Sequence, residues 1–131
     1  MENILKQLNN DTTGMDTYEY IVNHVDNCVP LMPRLIENLI KVDNSGQFLA
    51  STARFIHAVD CDQFDEFLPA LIEGAISKDR ERKYIGALLE AIWGEDYESK
   101  KDELLATDDN FRRIYKRVFP PEAQKDRIHS L

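Results

Sequence analysis

Hydrophobic residues recur at helical spacing along almost the whole chain. Ile4, Leu5 and Leu8 mark one side of a short first helix, and Asn9-Asn-Asp-Thr-Thr-Gly14 breaks it with turn-forming residues. Asp16, with Glu19 three residues on, forms a capping-box arrangement for a second helix striped by Tyr18, Ile21, Val22 and Val25. Pro30 and Pro33 fit the start of a third helix, because a first turn does not need their missing N–H. That helix carries Leu31, Leu35, Ile36 and Leu39, and Asp43-Asn-Ser-Gly46 reads as the turn after it. A fourth stripe follows in Phe48, Leu49, Thr52, Ala53, Phe55, Ile56 and Val59.

Val59-Asp-Cys-Asp62 predicts the next turn, with Asp62 placed to cap a fifth helix. Phe64, Phe67, Leu68, Leu71, Ile72 and Ala75 form its apolar face. Pro69 falls inside that stripe, so a lost backbone hydrogen bond and a bend are expected there. Ser77-Lys-Asp79 turns the chain again. Tyr84, Ile85, Leu88, Leu89 and Ile92 then mark a sixth helix that stops at Gly94. Tyr97, Leu104 and Leu105 make a weaker seventh. Thr107 is placed to cap an eighth, built on Phe111, Ile114, Tyr115, Val118 and Phe119 and ended by Pro120-Pro121. No segment alternates with period two, so the expected fold is all-α with no sheet.

The pattern also repeats. Leu31-Met-Pro-Arg-Leu-Ile-Glu and Phe67-Leu-Pro-Ala-Leu-Ile-Glu align at an offset of 36 residues (69 − 33). Ile40 then meets Ile76, and Asp43 meets Asp79. Residues 16–28 fit a leading, incomplete unit, with Tyr20, Ile56 and Ile92 in register. A third copy starts at Leu104, but Phe111 arrives too early, so its first helix or turn is shortened. A period of this size marks stacked helical hairpins.

The Leu-Pro-x-Leu-Ile-Glu start, the Asp-containing turn and the second helix Tyr84–Trp93 resemble a HEAT-type repeat. The resemblance covers residues 31–93 and implies a right-handed stack of about three helical hairpins, a HEAT-like α-solenoid with an N-terminal helix. Phe55-Ile-His-Ala-Val59, the regular hairpins and Asn110-Phe-Arg-Arg-Ile-Tyr-Lys-Arg-Val118 are similar to small HEAT-like immunity proteins of bacterial polymorphic-toxin systems. That likeness implies stoichiometric binding to a toxin domain without catalysis.

The length of 131 residues fits a single domain, 1–131. Within it, residues 1–14 form an N-terminal helix and loop and 120–131 a loosely held tail. No apolar run is long enough for a membrane span, and Met-Glu-Asn-Ile-Leu-Lys lacks the start of a secretory signal. Two cysteines, Cys28 and Cys61, form no disulfide framework, so a cytoplasmic protein is expected. The net charge of −8 disfavours nucleic acid and favours a protein partner with a basic surface. Acids concentrate in two stretches. Residues 58–76 carry Asp60, Asp62, Asp65, Glu66 and Glu73 with no base. Residues 94–109 carry Glu95, Asp96, Glu98, Asp102, Glu103, Asp108 and Asp109 against Lys100 and Lys101. Solvated helix faces account for such runs in many proteins.

Catalytic chemistry has little to stand on. The five glycines are scattered, with no phosphate-binding loop, and paired acids such as Asp62 and Glu66 suit solvated helix ends. His24 and Cys28, like His57 and Cys61, stand four residues apart, the ligand types of a tetrahedral zinc site. The two pairs are 33 residues apart (57 − 24), out of phase with the repeat. Arg112, Arg113, Lys116 and Arg117 give the eighth helix a basic outer face, the feature that a DNA-binding HEAT-like protein would need. The expectation is therefore a non-catalytic protein-binding module without cofactor or metal. An immunity protein is the favoured form, with an adaptor role as the alternative. Its partner surface combines Arg54, Glu90 and Trp93 on the second helices with Asp60, Asp62, Asp96 and Glu98 at the turns after them. Trp93 also has a simpler role open to it, covering the end of the core.

Overall fold

The computed structural model describes residues 2–120, with side chains from Ile4 onward. The fold is all-α, with no strand among the described residues. Its helices are α1 (Glu2–Leu8), α2 (Met15–Asn23), α3 (Met32–Val42), α4 (Gln47–Phe64), α5 (Leu68–Lys78), α6 (Gly86–Trp93), α7 (Lys101–Thr107) and α8 (Asp109–Val118). The expected tail at 120–131 lies, after Pro120, outside the described residues.

The 36-residue repeat is realised to the residue. A 3₁₀ turn, Val29–Leu31, leads into α3, and a second, Asp65–Phe67, leads into α5. Both helices run for 11 residues. Met32, Leu35, Ile36 and Leu39 are buried in the first copy, and Leu68, Leu71, Ile72 and Ala75 in the second. The third copy keeps the 3₁₀ entry, Tyr97–Lys100, but α7 has only 7 residues, the shortening that the early Phe111 predicts.

Pro69 does not bend a helix. It stands in the first turn of α5, as Pro33 does in α3, because the 3₁₀ turn absorbs the start of the apolar stripe. The break falls earlier, at Asp60, whose extended backbone divides α4 within the turn expected at Val59–Asp62.

Buried aspartates organise the turns inside the hairpins. Asp43 Oδ1 accepts hydrogen bonds from the backbone N–H groups of Ser45 and Gly46, and Oδ2 from those of Phe48 and Leu49. Asp79 accepts from Lys83, Tyr84 and Ile85. Asp11 accepts from Thr13, Gly14 and Thr17, and from the Thr17 hydroxyl. Asp11 and Asp43 thus collect N–H groups at the starts of α2 and α4, and Asp79 those of the three residues that lead into α6. In all three turns the backbone N–H six residues on is a donor: Thr17, Leu49 and Ile85. The leading unit precedes the next by 32 residues (43 − 11), with Gly14 matching Gly46, so the register of Tyr20 with Ile56 does not hold.

Three expected caps move accordingly. Asp16 is exposed, and Asp11 does the work at the start of α2. Asp60, rather than Asp62, accepts from the Gln63 N–H in the turn before α5. Asp108, rather than Thr107, caps α8 by accepting from the Phe111 N–H; the Thr107 hydroxyl donates to the Glu103 carbonyl.

Contacts link α1 to α3, α3 to α5 and α5 to α8 on one side, and α2 to α4 and α4 to α6 on the other. One apolar core runs between, with Ile21, Leu35, Leu39, Leu49, Ile56, Leu71, Ile85, Leu88 and Phe111 fully buried. Arg117 leaves the wet face expected for it. Its guanidinium donates to the carbonyls of Ile76 and Asp79, at the C-terminal end of α5 where cations are favoured.

Candidate partner-binding site

The packing of α4 on α6 leaves a shallow depression of about 480 Å³ on their outer face. Arg54 of α4 and Glu90 of α6 both border it, and Ala87 and Ala91 keep its floor low. Tyr97 closes one side. Burial, then the charges of Glu98 and Glu90, hold the Tyr97 phenol above its ordinary value. A second depression, of about 350 Å³, continues past Arg54 and Ala91 to Ser51, Phe55 and Tyr18. Arg54 and Glu90 thus border one depression, beside Tyr18, Phe55 and Tyr97, which the sequence pattern assigned to apolar stripes. Tyr97 could have been found, since it follows directly on the acids after Gly94.

Trp93 points elsewhere. Its indole N–H donates to Asp108 Oδ2 at 2.8 Å, and its ring meets Phe111 edge-on at 5.3 Å between centroids. It borders another open depression, of about 320 Å³, at one end of the molecule, with His57 of α4, Leu68 and Ile72 of α5, Ile92 of α6, Asp108 and Asn110. The C-terminal parts of α4 and α6 both reach this depression, so the turns leaving them lie at the same end of the fold.

Those turns carry the remaining candidates. Asp60, Asp62, Asp96 and Glu98 are all exposed. Asp60 accepts the Gln63 N–H at 3.2 Å, and Asp96 pairs with Lys100 at 3.5 Å. Compared with protein-family models, curated proteins and solved structures, the chain matches none. Its function has to be read from its own residues.

The two His/Cys pairs do not converge. Helix α2 ends at Asn23, so His24 and Cys28 share no helical face; His24 stacks on Tyr20 and its Nδ1 lies 2.9 Å from the Tyr20 carbonyl. Cys28 is buried with its sulfur against Met32, and burial raises its thiol pKa. Cys61 is exposed beyond the Asp60 break. Among the described residues no three His, Cys, Asp or Glu side chains are placed to share a metal ion. The basic run on α8 is partly committed too, with Arg112 paired to Asp109 and Arg117 capping α5. Among the described residues no helix is long and apolar enough to cross a membrane.

Proposed function

We propose that this chain is a non-catalytic protein-binding module, and that its partner presents a basic surface. The observation that carries the reading is the pairing of an open α4–α6 face with exposed acids on the two turns at one end of it. Acidic side chains on a rigid scaffold steer and hold a complementary surface. The fold we infer is a right-handed HEAT-like stack of about three hairpins with an N-terminal helix. Its support is the residue-for-residue match of two 3₁₀-plus-helix units and the recurrent buried aspartate. Such a stack offers a short surface, suited to one compact partner. The specific form we favour is a cytoplasmic immunity protein that occludes the active site of a cognate bacterial toxin.

Charge reversal of Asp60, Asp62 and Asp96 to lysine tests the surface. The triple variant should lose most of the affinity for its partner at low salt while keeping its helical content. Unchanged affinity at low salt would sink the reading. The immunity role has its own assay: co-expression with the product of the adjacent gene should rescue growth from that product's toxicity. An adaptor would bind a partner that is not toxic.

A further inference from the structure

We infer that His57 and Asp65 form a pH-dependent latch, which on protonation of the imidazole fastens the Asp60–Phe67 connection to α4. The latch belongs to the chain itself and stands apart from any partner. Two elements meet in it. His57 lies on α4 shortly before the extended backbone of Asp60 divides that helix. Asp65 opens the 3₁₀ turn that leads into α5. The segment between them is exposed at Asp60, Cys61, Asp62 and Gln63, and Phe64 is its buried apolar anchor. Its polar ties are local. Asp60 accepts the Gln63 N–H at 3.2 Å in an exposed position, and the Asp65 N–H donates to the Cys61 carbonyl. The approach of His57 to Asp65 joins this segment to the regular part of α4.

His57 Nδ1 is buried and forms no hydrogen bond, an unusual state for a buried polar atom. Asp65 Oδ1 stands 3.5 Å from it, close enough for charge attraction although no hydrogen bond is made. A neutral ring uses that proximity poorly. In the Nε2–H tautomer a bare lone pair faces a carboxylate, and in the Nδ1–H tautomer the donor carries no net charge. Protonation makes Nδ1–H a charged donor in either case, and a small closing movement then gives a charge-assisted bond. The His57 side chain is 26% exposed, which leaves solvent a route for the proton. The charges around the ring are of one sign. Asp60 and Cys61 follow within four residues on its own element, Asp65 comes from the 3₁₀ turn, and Asp108 from the start of α8. The other groups that border the same depression are neutral: Leu68, Pro69 and Ile72 of α5, Ile92 and Trp93 of α6, and Asn110 of α8.

Histidine changes charge between about pH 5 and pH 8, a range in which carboxylates stay ionised. An ion pair made in the closed segment and absent from the opened one stabilises the closed form while the imidazole is charged, and the gain is lost as pH rises. Backbone amide hydrogen exchange reads such local opening. The reporters are the N–H groups of Asp65 and Leu68, which donate to the carbonyls of Cys61 and Asp65. After correction for the intrinsic pH dependence of exchange, their protection should rise about threefold from about pH 8 to about pH 5.5, the scale of a partly exposed ion pair. The rise should shrink in about 1 M salt, and at Leu68 it should vanish in Asp65→Asn and in His57→Gln. The amides of Leu49 and Ile85, in the turns that Asp43 and Asp79 organise, should not follow it. Constant protection in the unaltered chain, a rise that persists in D65N, or an equal rise at Leu49 and Ile85 would overturn the latch. The pH comparison uses the unaltered chain, so it stands whether or not either variant folds.

Discussion

Trp93 and Asp108 are joined by a 2.8 Å hydrogen bond that ties the end of α6 to the start of α8. The same carboxylate accepts the Phe111 N–H through its other oxygen, at 3.1 Å. One side chain thus serves as both helix cap and inter-helix clamp. Trp93→Phe should cost about 1–2 kcal/mol, because it leaves the cap intact and removes one charge-assisted bond. Asp108→Ala should cost more, about 2–3 kcal/mol, since cap and clamp go together. Urea unfolding of the double-mutant cycle should give a coupling energy of about 1 kcal/mol. Additive effects would show that the bond contributes nothing.

Asp43 is fully buried and accepts four backbone N–H bonds and one from the Ser45 hydroxyl. Truncation would strand several of those donors away from water. Asp43→Ala is expected to destabilise by about 3–5 kcal/mol, whereas Asp16→Ala, at the exposed position, should leave the unfolding midpoint unchanged. A comparable loss in both variants would mean that the buried carboxylate has no special role.

Arg82 occupies a left-handed conformation, φ 60°, three residues after Asp79. In the two preceding turns that place belongs to glycine: Gly14 at φ 101° and Gly46 at φ 84°. A side chain there crowds its own backbone. Arg82→Gly should therefore stabilise by about 0.5–1 kcal/mol, the relief being partly offset by the extra freedom of glycine in the unfolded chain. Gly46→Ala should cost about 2 kcal/mol or more. Its Cβ would also lie 3.0 Å from the Ala75 carbonyl oxygen and 3.1 Å from the Asp79 Cβ. Thermal unfolding of the two variants in opposite directions is the expected result.

Burial raises the pKa of Asp11, but hydrogen bonds from Thr17, Gly14 and Thr13 outweigh it, and the net shift is downward from 3.8. A carboxyl depressed in the folded state contributes stability that is fully present above its unfolded value and lost as pH falls through its folded one. The Asp11 contribution should be constant at neutral pH and disappear on acidification below about 3.8. Unfolding free energy measured from pH 5 down to pH 2 should fall less steeply in Asp11→Asn than in the unaltered chain. Equal slopes would remove Asp11 from the acid response.

The helices and their repeat were legible because both signals are local. Apolar spacing at Leu35, Ile36 and Leu39 recurs at Leu71, Ile72 and Ala75, and a 36-residue offset needs no knowledge of what packs on what. The candidate face was half legible. Arg54 and Glu90 border one depression, as helical phase suggests, but Trp93 borders another. A single tryptophan at a helix end can turn either way, and the Asp108 carboxylate, 15 residues on, decides which.

What the sequence determined by itself is the all-α class, the turn at Asp43–Gly46 and the shortened third copy, set by spacings of a few residues, and the 36-residue offset between two copies of one such local pattern. What only the tertiary structure decided is which carboxylate caps which helix and where long side chains end. Asp11 prevails over Asp16 because it is buried beside the orphan N–H groups of α2, where water cannot replace it. Arg117 joins the end of α5 because the fold brings Asp79, 38 residues away, within reach. A carboxylate or guanidinium meets many possible partners along a chain. Packing removes water from a few of them, and there the hydrogen bond becomes obligatory.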